Sequence, residues 1–335
     1  MPHPRPASRT LAFGVFAVIL ALAGLEGVAF VALGFLEEDG GETPRDPSGW
    51  LVNAQLAFEQ GFYTPDAHTL WRPTPGFREE VTPERFWGEA PLVLNEHGHR
   101  NPSMPVSKPP SSRRALLVGG SHPFGMWVPT EASYAAVLER HLGDEWSVLN
   151  AACPGHTTFQ GAQYIEHYGL AFAPDVILFD LGVNDALPLA LDFSRPDHEV
   201  QAVPWWSTRL RTALGRTSTY LVLKELLADA TRRPVEGVRV PPENQQANVA
   251  RVLELAEATG AHVLLFNQIE VGPAGVRCSP RYETLGTTFD ACGVFAGYGS
   301  EANRYFVDPV HANAQGHRML GEALYARLLE LGWAE

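Results

Sequence analysis

The chain has 335 residues, 45% of them hydrophobic and 19% charged, with a formal net charge of -13. That balance supports a packed core and excludes wholesale disorder. With no block of Lys/Arg it also excludes a nucleic-acid surface, which needs clustered positive charge to displace counterions from phosphates.

Residues 1–10 form a short tail with Arg5 and Arg9 and no acid. Residues 11–36 are then apolar except for Glu26 and a few small residues. At about 1.5 Å per residue, the run is long enough to cross a ~30 Å hydrocarbon core. Glu37, Glu38 and Asp39 follow. Basic charge before the run and acidic charge after it predict a cytoplasmic tail, a transmembrane anchor, and a main body on the periplasmic or extracellular face. A cleavable signal peptide is the alternative, since Ala21-Leu22-Ala23 fits the small-residue rule. The continuation of the run to Leu36 favours the anchor. Glu26 would cost about 3 kcal/mol at mid-membrane, unless its neighbours or a partner helix absorb the charge.

Residues 37–90 are rich in Pro, Gly and charge and read as a stalk with an irregular N-terminal segment. Trp71, Phe77, Phe86 and Trp87 are expected to pack part of it onto the body. From "RALLVGG" onward, short apolar runs alternate with helical patterns. "EASYAAVLERHLG" has helical spacing and ends at Gly143. "WSVLN" reads as a strand, "TTFQGAQYIEHYGLAF" as a helix and "PDVILFDLG" as a buried strand. Residues 186–242 are the least regular stretch, one or two helices inserted after the third strand. Trp205 and Trp206 there either cover the core or line a groove. "NQQANVARVLELAEATG" (helix), "AHVLLFNQ" (strand) and "AQGHRMLGEALYARLLELG" (helix) complete the chain. The alternation predicts an α/β fold with a parallel sheet covered on both faces. Active sites of such sheets lie at the carboxyl ends of strands.

Polar motifs fall at those ends. Ser121 follows the first apolar run directly. A serine hydroxyl attacks carbonyls poorly unless a base removes its proton, and the base is usually a histidine held by a carboxylate. Asp308 and His311, three apart before the last helix, supply both. Acyl transfer also needs donors for the oxyanion. Gly155 after the second strand, Asn184 after the third and the Ser121 N–H are the candidates. Each piece alone is weak, but the order and placement together are specific.

These blocks resemble the SGNH hydrolases of the GDSL esterase/lipase superfamily. The four stand as Gly119-Gly120-Ser121, Gly155, Gly182-Val183-Asn184-Asp185 and Asp308-Pro309-Val310-His311. The resemblance covers residues 91–335 and includes the flanking stretches "LNEHGHRNP", "SYAAVLERHL" and "HANAQGHRMLGEAL". It implies a flavodoxin-like three-layer α/β/α sandwich. It implies Ser121 as nucleophile, His311 as base and Asp308 as its orienter, with an oxyanion hole from Ser121, Gly155 and Asn184. It implies no cofactor. One departure stands out: Gly120 occupies the place of the family's Asp, a buttress of the nucleophile loop and not a triad member. Ordinary α/β-hydrolases fit less well, because their Gly-x-Ser-x-Gly elbow would put Gly where this chain has Pro123.

Other residues have plainer readings. His122 is a loop histidine or a second polar group of the site. His97 and His99 lack a third metal ligand. His317 reads as structural, and Cys153 as a small packed residue. Cys278 and Cys292 either pair, if the body is exported, or stay as thiols. The three cysteines form no CxxC motif, which speaks against structural zinc. The expected activity is an exported esterase acting on acyl or acetyl groups of envelope glycans or lipids. An O-acyltransferase of the same fold and a non-catalytic binding protein are the alternatives. Catalysis by His311 predicts activity that falls on the acid side as its imidazole takes up a proton.

Overall fold

The computed structural model describes residues 21–30, 61–79, 91–189, 195–201, 214, 217–220, 222–223, 236–279 and 282–334. The chain divides into two units, residues 1–49 with 203–235 and residues 50–202 with 236–335. In the first unit, residues 21–30 are helical. Glu26 there meets a second element of its own unit. Its carboxylate accepts hydrogen bonds from the Ser218 N–H, from the Thr219 N–H at 3.0 Å and from the Thr219 hydroxyl at 2.7 Å. Such N–H groups at a helix start lack backbone partners, so a carboxylate satisfies them. Among the described residues no helix is long and apolar enough to cross a membrane. The rest of the expected anchor lies outside the described residues, as do Phe86, Trp87, Trp205 and Trp206.

The second unit begins with a hairpin of β1 (Tyr63–Asp66) and β2 (Leu70–Pro73). The sequence predicts an irregular segment here from its Pro, Gly and charge content. Asp66 explains the difference. Its carboxylate accepts from the N–H groups of His68 and Thr69 and from the Thr69 hydroxyl, which closes the turn. Trp71 and Phe77 are buried beside Phe124 and Cys153, as the expected packing of this segment requires.

Five parallel strands form the main sheet: β3 (Arg113–Gly119), β4 (Trp146–Asn150), β5 (Val176–Asp180), β6 (His262–Phe266) and β9 (Thr288–Phe289). Their order is β4-β3-β5-β6-β9. Between β6 and β9 the antiparallel pair β7 (Gln268–Gly272) and β8 (Gly275–Ser279) projects. Successive strand side chains point to opposite faces. Ala115, Leu117, Leu178 and Leu264 therefore meet α2 (Tyr134–Leu142) and α7 (Ala314–Glu330) through Leu138, Leu320 and Leu324. Leu116, Val118, Ile177 and Leu265 meet α3 (Thr158–His167) and α5 (Pro242–Thr259) through Ile165, Val249 and Val252. Burial on both faces is why these strands read as unbroken apolar runs. The short helices α4 (Asp197–Gln201) and α6 (Gly293–Ala296) complete the unit. The result is a three-layer α/β/α sandwich. The strand order reverses between β3 and β5, and the crevice at their carboxyl ends is the usual ligand position in such sheets.

Cys278 on β8 is joined to Cys292 by a disulfide, their Cα atoms 5.8 Å apart. The helix ends follow local chemistry. Thr157 and Gln160 form a capping box for α3, and the Asn313 side chain caps α7.

Candidate active site

β3 ends at Gly119, where no side chain fits. A Cβ there would lie 2.0 Å from Pro123 Cγ and 2.8 Å from the Asp180 carbonyl oxygen. The chain can therefore turn tightly, and Ser121 opens the short helix α1 (Ser121–Phe124) at the strand's carboxyl end. Its Oγ lies 2.7 Å from His311 Nε2, and His311 Nδ1 lies 2.7 Å from Asp308 Oδ2. The second Asp308 oxygen accepts the N–H groups of Val310 and His311, both at 2.9 Å. This turn lets two residues three apart face each other. Burial pushes the Asp308 carboxyl up, but the His311 hydrogen bond and charge and the two backbone N–H groups outweigh it. They hold the carboxyl below the usual range. An ionised Asp308 can orient the imidazole and steady its charged form, and the imidazole can take the serine proton.

The second wall follows β4. Gly155 has φ 80, a left-handed conformation that glycine adopts without strain. The Cys153 N–H bonds the Gly119 carbonyl at 2.9 Å, so this loop runs along the nucleophile turn. Among the described residues no backbone acceptor takes the N–H of Ser121 or of Gly155. Asn184, after β5, donates to the His156 carbonyl at 2.9 Å, and its Nδ2 would lie 3.1 Å from a Cβ on Gly120. The three candidate donors thus border one turn. Asp185 does not join them. It accepts from the Thr158 N–H (2.8 Å) and hydroxyl (2.6 Å) and from Gln245 Nε2 (2.7 Å), tying α3 to α5, and burial raises its pKa despite those bonds.

The room beside Gly120, where the resemblance implies Asp, is taken here by the Asn184 amide. His122 belongs to a network behind the nucleophile and not to the triad. Its Nδ1 is 3.6 Å from Asp180 Oδ2, and its ring stacks on His317 at 5.4 Å. Asp180 accepts from the Tyr134 hydroxyl at 2.8 Å and from Gln268 Nε2 at 3.0 Å. His317 is buried, and burial, with the charges of His122, Arg100 and His311, holds its pKa well below the usual imidazole value. His97 and His99 are engaged with the Met104 carbonyl and the Tyr164 hydroxyl. Burial pushes the Cys153 thiol well up, so it is not a thiolate nucleophile.

Sequence reading missed two buried cations that hold the site loops. Arg100 donates to the carbonyls of Phe124 (2.9 Å), Gly125 and Val128 (2.6 Å) and pins the nucleophile turn from below. Arg239 pairs with Asp197 at 2.9 Å, both fully buried, and donates to the Gly155 carbonyl at 2.7 Å. The one available signal for Arg239 is a lone arginine between two valines in "EGVRVPP".

Residues 117–319 match the GDSL-like Lipase/Acylhydrolase family. No curated protein matches the chain in sequence. Among solved structures the chain is similar to an α/β hydrolase enzyme from the metagenome of Lake Arreo, at 16% identity and TM-score 0.43, covering 67% of this chain and 97% of that one. It is similar to an acetylxylan esterase from Geobacillus stearothermophilus (14%, TM-score 0.40, 67% and 97%). A carbohydrate acetylesterase from Sinorhizobium meliloti is another (16%, TM-score 0.38, 66% and 100%). The family match begins within β3, just before the nucleophile turn, and ends in α7, so it spans every strand-end group described above; the chain belongs to the GDSL-like lipase/acylhydrolase family and is a serine ester hydrolase.

Proposed function

We propose that this protein is an exported, membrane-anchored esterase that removes acyl or acetyl groups from envelope glycans or lipids through an acyl-enzyme on Ser121. The observation that carries the reading is the continuous relay from Asp308 Oδ2 through His311 to Ser121 Oγ, with both contacts at 2.7 Å. Ser121 Oγ attacks the ester carbonyl as His311 Nε2 takes its proton. The tetrahedral oxygen is held by the N–H groups of Ser121 and Gly155 and by the Asn184 amide. Collapse expels the alcohol, which leaves with the proton from His311. Water then attacks the acyl carbonyl as His311 takes its proton, and His311 returns that proton to Ser121 Oγ as the acid leaves. No cofactor takes part in these steps.

The location rests on the apolar run at residues 11–36 and the charges flanking it. The Cys278–Cys292 disulfide supports it, because such bonds persist in oxidising compartments. Envelope glycans and lipids are the esters within reach of a domain placed there.

The test is hydrolysis of p-nitrophenyl esters from acetyl to longer acyl chains, with fluorophosphonate labelling and Ser121→Ala as control. Turnover and labelling that both vanish in Ser121→Ala support the reading, and the chain-length preference narrows the substrate. Labelling without turnover identifies an acyltransferase lacking its acceptor. A folded protein with neither signal overturns catalysis by this site.

A further inference from the structure

Residues 154–156 form one wall of the site, and each carbonyl in the wall is held by a distant side chain. Pro154 O accepts the Tyr63 hydroxyl at 3.0 Å, Gly155 O accepts Arg239 Nη1 at 2.7 Å, and His156 O accepts Asn184 Nδ2 at 2.9 Å. The first contact bears directly on the oxyanion. The Pro154 carbonyl and the Gly155 N–H belong to one peptide group. A trans peptide is planar, and its N–H points away from its C=O. No cis peptide occurs among the described residues. A donor that captures the carbonyl therefore aims the N–H to the opposite side. Cys153 is bonded to Gly119 on one flank of this peptide, and His156 O faces Gly120 on the other, so the wall is locked against the nucleophile turn.

Tyr63 suits this task. It is 6% exposed and packs edge-on against Phe62 and Trp71. Burial raises its phenol pKa well above the usual value, so it remains a neutral donor. It lies on β1, outside the residues that the family match covers.

We propose that Tyr63 is a positioning residue of the oxyanion hole: its hydroxyl, carried by the N-terminal hairpin, fixes the Pro154–Gly155 peptide so that the Gly155 N–H faces the tetrahedral oxygen. The proposal rests on the assignment of Gly155 as an oxyanion donor made above.

The experiment uses the full-length protein and Tyr63→Phe, with p-nitrophenyl acetate as substrate. An oxyanion donor is worth about 10²–10³ in kcat, and loosening one short of removing it should cost about tenfold. KM stays within twofold and the acid limb of the pH profile does not move. The inhibition constant of butylboronic acid, which forms a tetrahedral adduct on a nucleophilic serine, rises in parallel with the loss in kcat. Tyr63→His keeps a ring donor and recovers part of both effects. Thr74→Val removes a 2.7 Å bond to the Gly61 carbonyl in the same segment and leaves the Tyr63 hydroxyl in place. It lowers Tm and leaves kcat unchanged.

A folded Tyr63→Phe with kcat and boronate affinity within twofold of the parent overturns the proposal. So does a kcat loss that Thr74→Val shares, since that marks general loosening. If Tyr63→Phe does not fold, Tyr63→His decides by the same two readings. Asn184→Ala and Ser121→Ala separate this inference from the reading beneath it. If both lose turnover and Tyr63→Phe does not, only the Tyr63 assignment falls. Turnover that survives Ser121→Ala overturns both.

Discussion

His311 takes its orientation from a carboxylate three residues away in the chain, whereas the Gly155 loop takes its orientation from an arginine 84 residues away and a tyrosine hydroxyl 91 residues away. The acid–base wall is local. One turn carries Asp308 and His311, and backbone N–H groups of that same turn hold the carboxylate. The oxyanion wall is distributed. A hairpin before the sheet, a buried ion pair after β5 and an amide after β5 each hold one carbonyl of the loop. A local wall fails through its own side chains. A distributed wall fails through residues that never approach the substrate.

The largest effect belongs to the local wall. His311→Ala removes the base, and kcat/KM should fall about 10⁴-fold or more with the melting temperature little changed. Esterase rates and a thermal melt on the same preparation check this. Activity retained within tenfold breaks the assignment of His311. Asp308→Asn should follow closely, since the amide cannot steady the imidazolium as a carboxylate does.

That contrast also sets what could be read from sequence. Ser121 at the end of an apolar run and Asp308-x-x-His311 before the last helix are local patterns, and so were legible. The sandwich was legible because strands buried on both faces become unbroken apolar runs, and because Gly143 and Gly260 mark helix ends. Arg239 and Tyr63 were not legible. Nothing near Arg239 in sequence shows that it meets Asp197, and nothing near Tyr63 shows that its hydroxyl meets Pro154. The hairpin itself was hidden, because Pro65 and Pro73 oppose strand formation and the Asp66 turn that overrides them is a three-dimensional feature. His122 was singled out for its place beside the nucleophile, but its contact with Asp180 depends on the neighbouring strand.

The distributed wall should fail first in stability. Arg239→Ala leaves Asp197 as an uncompensated buried charge and frees the Gly155 carbonyl. Removing one partner of a buried pair costs about 3–5 kcal/mol. Replacing Arg251, whose pairing with Glu166 is exposed, should cost about 1 kcal/mol or less. Urea denaturation of the two variants measures the difference. Equal losses would mean that the Arg239 pair is not a structural anchor of the loop.

Acid should reach the same wall next. His156 is buried, its Nε2 bonded to the Trp71 carbonyl at 2.9 Å, and burial lowers its pKa from 6.5 to about 4. The unfolded chain therefore binds a proton that the folded chain refuses between those values. Stability contributed by the neutral ring is present above pH 6.5, and it is lost as pH falls toward 4, by on the order of 3 kcal/mol. His99, lowered to about 3, adds loss in the same direction. Melting temperatures measured from pH 7 to pH 4 should fall steeply in the parent and less in His156→Gln, whose amide can donate without titrating. The same slope in both breaks the assignment.

The smallest effect tests where the two walls meet. Gly120 has φ -90 and ψ -148, outside the left-handed region that favours glycine. Gly120→Ala restricts the unfolded chain and on that ground should stabilise by about 0.4–1 kcal/mol. The new Cβ would lie 3.1 Å from Asn184 Nδ2, closer than such atoms usually approach, so the amide must shift by a few tenths of an ångström. The backbone effect favours stability, and the displaced amide works against transition-state binding. The expected outcome is an unchanged or higher melting temperature with kcat reduced several-fold and KM little changed. A fall in both would mean that the turn itself needs glycine. An unchanged kcat would mean that Asn184 has room to yield, and that the oxyanion wall does not depend on the space Gly120 leaves.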